Sequence, residues 1–167
     1  YIFMPVYVIS VLNTFIYQPV LTKLAIYYEE KRDKEFIHLF FRQLLIIAGL
    51  TLGILLCGFI AGIPVLSLLY NMDLAEYKTS FMVLLMGGSF LAVSGYLSVV
   101  ITIMRKQKWL LIGYILAALI AFVAAKPLIL IGGTIGASFL YTGIVLLQVI
   151  VFAVIFIKFF LKHDSIR

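Results

Sequence analysis

Polar side chains recur at helical spacing inside the apolar stretches of this chain. In the first stretch Ser10, Thr14, Gln18 and Thr22 are four residues apart, and Asn13 lies beside them. Residues at this spacing share one face of an α-helix. Hydroxyl and amide groups of this kind can bind a ligand, or they can join one helix to the next by hydrogen bonds.

Two later apolar stretches carry polar residues in a similar way. They are Ser94, Ser98 and Thr102 in one, and Ser138, Tyr141, Thr142 and Gln148 in the other. The simplest interpretation of all three stripes is hydrogen bonding between helices. A solvated transport pathway stays open as the alternative, because three polar stripes occur in one short chain.

Groups that carry most enzyme chemistry are absent from these apolar stretches. Every aspartate and glutamate lies in a connection or a tail, His38 lies at the cytoplasmic end of the second predicted span, and His163 lies in the tail. There is no paired carboxylate, metal-ligand triad or Ser/His/Asp arrangement. Cys57, the single cysteine, lies in an apolar run, where we expect a small buried side chain. The sequence therefore predicts no enzyme, no cofactor and no metal.

The composition indicates which elements must position the polar residues. Hydrophobic residues make up 65% of the chain and charged residues 12%, with a mean hydropathy of +1.20. About 20 apolar residues in a helix match a hydrocarbon core of about 30 Å. We therefore predict an all-α integral membrane protein with one bundle, residues 1–167, of about five transmembrane helices. The predicted spans are approximately 1–28, 36–63, 79–104, 109–131 and 134–161.

Positive charge alternates between the predicted connections. Glu29–Glu35 and Arg105–Lys108 each hold three cations, Asn71–Lys78 holds one, and Lys158, Lys162 and Arg167 follow the last span. Because cations concentrate in cytoplasmic connections, Tyr1 is predicted outside and Arg167 inside. An external start is expected if an earlier helix precedes this chain, so we predict a C-terminal fragment. The formal charge of +6 is explained by orientation and anionic headgroups, and no nucleic-acid partner is predicted.

Short motifs in a fixed order resemble one membrane-protein family. They are Leu68–Asn71, Tyr77, the glycine-bearing helix that ends at Ile103–Lys108, and Gly132–Ala137. In order and spacing they are similar to the C-terminal half of bacterial polysaccharide flippases of the O-antigen or capsule type. These flippases belong to the multidrug/oligosaccharidyl-lipid/polysaccharide exporter superfamily. The resemblance covers about residues 19–162, and it departs at Asn71, where glycine is usual, and at Ser138, where alanine is commoner.

The resemblance implies a fold and an activity. It implies two bundles of six helices around a central cavity in the bacterial cytoplasmic (inner) membrane, with this chain as helices eight to twelve and a cytoplasmic C-terminus. Such proteins move polyprenyl-diphosphate-linked oligosaccharides between leaflets by alternating access, for cell-envelope polysaccharide synthesis. The implied partners are membrane lipid, the lipid-linked oligosaccharide and the missing N-terminal half. A multidrug exporter of the same superfamily and a non-transporting scaffold in envelope assembly remain alternatives.

Candidate substrate-pathway residues follow from the need of a diphosphate and sugars for hydrogen-bonding groups. Gln18 ranks first because it lies inside the first span beside Pro19, which could act as a hinge, and Gln148 ranks second. The remaining candidates are Ser94, Ser98, Asn13 and Thr14. Lys23, Arg42 and Lys126 are weaker candidates, because each is near enough to an interface to extend its charge into water.

Overall fold

The computed structural model describes residues 4–70 and 77–164, which are almost entirely helical. Its helices are α1 (Met4–Glu29), α2 (Asp33–Cys57), a π-helical segment (Gly58–Gly62), α3 (Ile63–Tyr70), α4 (Lys78–Ile103) and α5 (Gln107–Asp164). No β-strand occurs in the described residues, which confirms the all-α expectation. Most of the predicted connection Asn71–Lys78 lies outside the described residues.

The helix continues through Gly58 and Gly62 and past residue 63, where the second predicted span ends. The chain stays helical from Asp33 to Tyr70 and widens into one π-helical turn. Both glycines face α4: a Cβ atom on Gly58 would lie 2.5 Å from Leu85, and one on Gly62 would overlap the ring of Phe81. Because glycine has no side chain, α4 can pack closely against both positions. The π-helical turn places both glycines on the face that meets α4.

Helix α5 is a hairpin of two antiparallel limbs, residues 107–132 and 134–164. The reversal occurs at Gly133, whose φ of 52° and ψ of −129° are not helical. The ring centroids of Trp109 and Phe159 are 5.4 Å apart, and those of Tyr114 and Phe152 are 5.2 Å apart. A straight helix would separate Trp109 from Phe159 by about 75 Å, so the limbs must lie side by side.

Helix α4 is the centre of the bundle and contacts α1, α2 and α5. Of its most apolar 18-residue window 56% is buried, against 17% for the window in Asp33–Ile60 and 28% for that in Gln107–Phe160. Small residues allow this packing. A Cβ atom on Gly87 would lie 2.7 Å from the ring of Tyr141 and 2.8 Å from Oγ1 of Thr142. Gly87 therefore permits close approach of the second α5 limb.

An aromatic cluster joins α2, α4 and α5. The ring of Phe40 stacks on those of Tyr96 and Phe156, at centroid distances of 5.5 and 4.4 Å. The Tyr96 hydroxyl donates a hydrogen bond of 3.3 Å to the carbonyl of Phe40. Phe36 stacks on Phe160 one turn nearer the start of α2, at 6.0 Å. These contacts fix the register of three helices near one end of the bundle.

Many large apolar side chains lie on the outside of the bundle. Phe122 is 84% exposed and Ile131 is 89% exposed, and both lie on the first α5 limb. Cys57 is also exposed, so the expectation that it is buried is wrong: it lies on a face of α2 that turns away from the bundle. Within residues 4–70 and 77–164, three helices are long and apolar enough to cross a membrane, namely Asp33–Ile60, Lys78–Ile103 and Gln107–Phe160, the last of which is the α5 hairpin. Such a surface suggests a membrane protein.

Candidate functional site

The structure brings three basic segments to the same end of the bundle. An ion pair of 3.4 Å joins Arg105, after α4, to Glu29 at the end of α1. Lys106 Nζ lies 5.0 Å from the ring centroid of Phe159, and Lys158 Nζ lies 5.4 Å from that of Trp109. The turn after α1, the turn after α4 and the end of α5 therefore form one surface, which we call the basic end.

Arg32, in the turn between α1 and α2, contacts the side chains of Glu30 and Glu35. Its guanidinium lies 3.0 Å from Glu35 Oε1 and 3.5 Å from Glu30 Oε2, and it stacks on the ring of Tyr27 at 4.9 Å. The hydrogen bond to Glu35 raises the pKa of Arg32 above its ordinary value. The three charged side chains are about half exposed, so water screens both ion pairs and they add little to the stability of the fold. Arg32 therefore occupies the carboxylates of Glu30 and Glu35.

A groove of about 440 Å³ lies between α1 and α2 at the basic end. Its lining residues, which define the basic groove, are Tyr27, Lys34, Glu35, His38, Leu39 and Arg42. Lys34, His38 and Arg42 follow one another at fourfold spacing, so they share one face of α2. In the described residues none of these three takes part in an ion pair. The sequence analysis missed Lys34 and His38, although their spacing from Arg42 could have indicated the cluster.

The first-ranked residue, Gln18, is exposed on α1, and so is the neighbouring Pro19, through which the helix continues. Gln18 precedes Glu29 by eleven residues, which places it about 16 Å from the basic end, near mid-depth of a membrane-spanning helix. The side chains of Asn13 and Thr14 lie outside the described part of the structure.

The remaining predicted residues occupy separate environments. Gln148 is half-buried on the second α5 limb, Ser94 is only 2% exposed, and Ser98 is half-buried with its hydroxyl donating to the Gly95 carbonyl at 2.8 Å. In the described residues no hydrogen bond joins any two of the predicted pathway residues. Ser94 is packed between helices, so it could line a transport pathway only if those helices separated.

The three weaker candidates all lie on the surface. Arg42 lines the basic groove, and Lys23 is exposed on α1 one helical turn before Tyr27. Lys126 is exposed on the first α5 limb, near the reversal at Gly133 and far from the basic end. Lys23 and Arg42 therefore lie on the side of the basic groove, whereas Lys126 lies near the opposite end of the bundle.

Several hydroxyls of the polar stripes bond within their own helix and do not make the expected hydrogen bonds between helices. The hydroxyls of Thr102 and Ser138 donate to carbonyls of their own helix, as that of Ser98 does. Thr142 fulfils the expectation, because its hydroxyl donates to the Val83 carbonyl of α4 at 2.7 Å. The Tyr96 bond to α2 was missed, since a single tyrosine among small residues gave no periodic signal.

The described residues contain no group of three or more histidine, cysteine, aspartate or glutamate side chains that could hold a metal ion. Comparisons of the chain with protein-family models, with curated proteins and with solved structures gave no match.

Proposed function

We propose that this chain forms part of a bacterial inner-membrane flippase that moves a polyprenyl-diphosphate-linked oligosaccharide for cell-envelope polysaccharide synthesis. Transport would proceed by alternating access, with this bundle on one side of a central cavity and a second bundle on the other. The exposed amide of Gln18 is the observation that supports this proposal most strongly.

Gln18 lies near mid-depth of α1 on a face that the present bundle does not cover. In hydrocarbon an amide finds no hydrogen-bond partner, and its burial there is unfavourable by several kcal/mol. A polar cavity between two bundles would supply water or substrate hydroxyls to the same amide. The residue is therefore better suited to a transport pathway than to a lipid-facing surface.

The distribution of charge supports one orientation for the proposed transporter. The basic end carries the connections after α1 and α4 and the end of α5, while Lys78 and Lys126 lie away from it. Cations favour the cytoplasmic side of a membrane. We infer a cytoplasmic basic end, which gives a cytoplasmic C-terminus.

Replacement of Gln18 in the complete protein tests the proposal. Gln18→Leu should reduce polysaccharide export about tenfold or more at unchanged membrane abundance, because one unmade hydrogen bond to a buried polar group costs about 1–3 kcal/mol. Gln18→Asn should retain more export than Gln18→Leu, since it keeps an amide. Ile26→Leu, an exposed apolar exchange on the same helix, is the matched control and should leave export unchanged.

The same experiment separates the alternatives. Full export by Gln18→Leu would contradict the proposed pathway and favour a scaffold, which tolerates apolar replacement of polar side chains. A loss of membrane abundance in step with export would make Gln18 a packing residue. Drug resistance without any effect on polysaccharide export would favour the multidrug-exporter alternative.

A further inference from the structure

The basic groove combines two cations and a histidine with an apolar boundary. Lys34, His38 and Arg42 are exposed, and they span about 12 Å along one face of α2. Tyr27 forms the opposite wall on α1, and the groove volume of about 440 Å³ is large enough for a phosphate ester with its linked glycerol. Three side chains with N–H donors at successive turns can contact several phosphate oxygens at once.

Glu35 is the acidic group in the groove, and Arg32 already holds it. Both the Nε and the Nη2 atoms of Arg32 contact Glu35 Oε1, at 3.2 and 3.0 Å. Arg105 pairs with Glu29, which draws another carboxylate of the turn away from the groove. The local charge that faces the groove therefore remains positive, with Lys34 and Arg42 as its permanent cations.

The groove crosses the level at which the α2 surface changes from charged to apolar. Residues before Phe41 on the outward face are mainly polar or charged, whereas Phe41 is 55% exposed and Leu45 is 73% exposed. Arg42 lies directly at this change. Anionic phosphates of a bilayer lie at the same level, between water and hydrocarbon, so an arginine there meets them without leaving the interface.

From these observations we propose that the basic groove binds the phosphate of an anionic lipid headgroup, with Lys34, His38 and Arg42 as donors. Tyr27 closes the groove on the α1 side, and the acyl chains would pass over the apolar surface that begins at Phe41. The site is distinct from the pathway around Gln18. It depends on the membrane placement in the proposed function, and it is independent of flippase activity.

Lipid retention in nanodiscs tests this site. The complete protein is reconstituted in phosphatidylcholine containing phosphatidylglycerol, and retained lipids are identified by native mass spectrometry. Lys34→Gln/Arg42→Gln should weaken phosphatidylglycerol retention about thirtyfold, because each of the two side chains would lose a direct contact with the bound phosphate, worth about 1 kcal/mol. Lys106→Gln/Lys108→Gln, which removes two charges from the basic end outside the groove, should weaken retention less than threefold. Arg42→Lys should keep most of it.

The source of the phosphate is distinguished by competition. Millimolar inorganic pyrophosphate should not displace phosphatidylglycerol from the wild-type protein if the headgroup is the ligand. Displacement that is lost in Lys34→Gln/Arg42→Gln would show a soluble phosphate site and overturn the lipid assignment. Equal losses in the groove variant and in the matched control would overturn the groove itself. Failure to enter nanodiscs would refute the membrane placement, whereas entry without a phosphatidylglycerol preference would refute the groove alone.

Discussion

Three glycines within five residues allow the hairpin of α5 to be tested one cause at a time. A Cβ atom on Gly136 would overlap the main-chain carbonyl of Leu128 on the facing limb. Gly133 has open space around it but a φ of 52°, and Gly132 has open space beside a cavity of about 210 Å³. Alanine at Gly136 therefore tests the close approach of the two limbs, and alanine at Gly133 tests the backbone conformation. Alanine at Gly132 tests neither and is the control.

The expected costs follow from these differences. Gly136→Ala should lower the free energy of unfolding by about 3 kcal/mol, at the upper end of overpacking effects, because a main-chain atom cannot rotate away as a side chain does. Gly133→Ala should cost about 1–3 kcal/mol, since a residue with a Cβ atom is strained in that conformation. Gly132→Ala should change the stability by about 0.5 kcal/mol or less.

Reversible unfolding in mixed micelles, with the fraction of denaturing detergent as the variable, measures these differences. Far-ultraviolet circular dichroism of the folded variants checks that helix content is preserved. If Gly136→Ala is as stable as Gly132→Ala, the two limbs do not approach at Leu128 and the hairpin register is wrong. If Gly133→Ala costs nothing, the reversal does not lie at Gly133.

Three further predictions concern the bundle and its orientation. Thr142→Val should destabilise the fold by about 1 kcal/mol, because it removes a hydrogen bond between helices, whereas Ser98→Ala should cost less because that hydroxyl bonds to its own helix. Phe40→Ala should cost about 3–5 kcal/mol in the same unfolding assay, as the ring is 3% exposed and stacks on two others. In sealed cells, cysteine at Gly132 should react with an impermeant thiol reagent and cysteine at Gln107 should not.

Each of these measurements has a control and a contrary result. Phe41→Ala is the control for Phe40, because Phe41 is adjacent but exposed, and equal costs would contradict the aromatic cluster. Equal effects of Thr142→Val and Ser98→Ala would refute the distinction between the two kinds of hydrogen bond. The labelling needs a Cys57→Ala background, since Cys57 is itself exposed. Labelling at Gln107 would reverse the proposed orientation.

The local sequence was sufficient to predict the helices, the turns between them and the concentration of cations in alternate connections. Apolar runs of this length favour helix, and the cations between them predicted the turns at residues 30–32 and 104–106. Adjacent glycines predicted a boundary between residues 131 and 134, and the structure has its reversal at Gly133. A fourfold spacing also placed Lys34, His38 and Arg42 on one face, although the sequence analysis had singled out Arg42 alone.

The tertiary structure alone decided which face of each helix is buried. In a water-soluble bundle, polar residues mark the outer face of a helix and the pattern can be read from the sequence. Here both the core and the outer surface are apolar, so buried Ile47 and exposed Leu45 look alike in sequence. An apolar side chain meets nearly the same solvent in lipid as in a protein core, so polarity does not distinguish the faces of these helices. Packing between distant segments therefore decided the pairing of Tyr96 with Phe40, the burial of Ser94 and the exposure of Gln18.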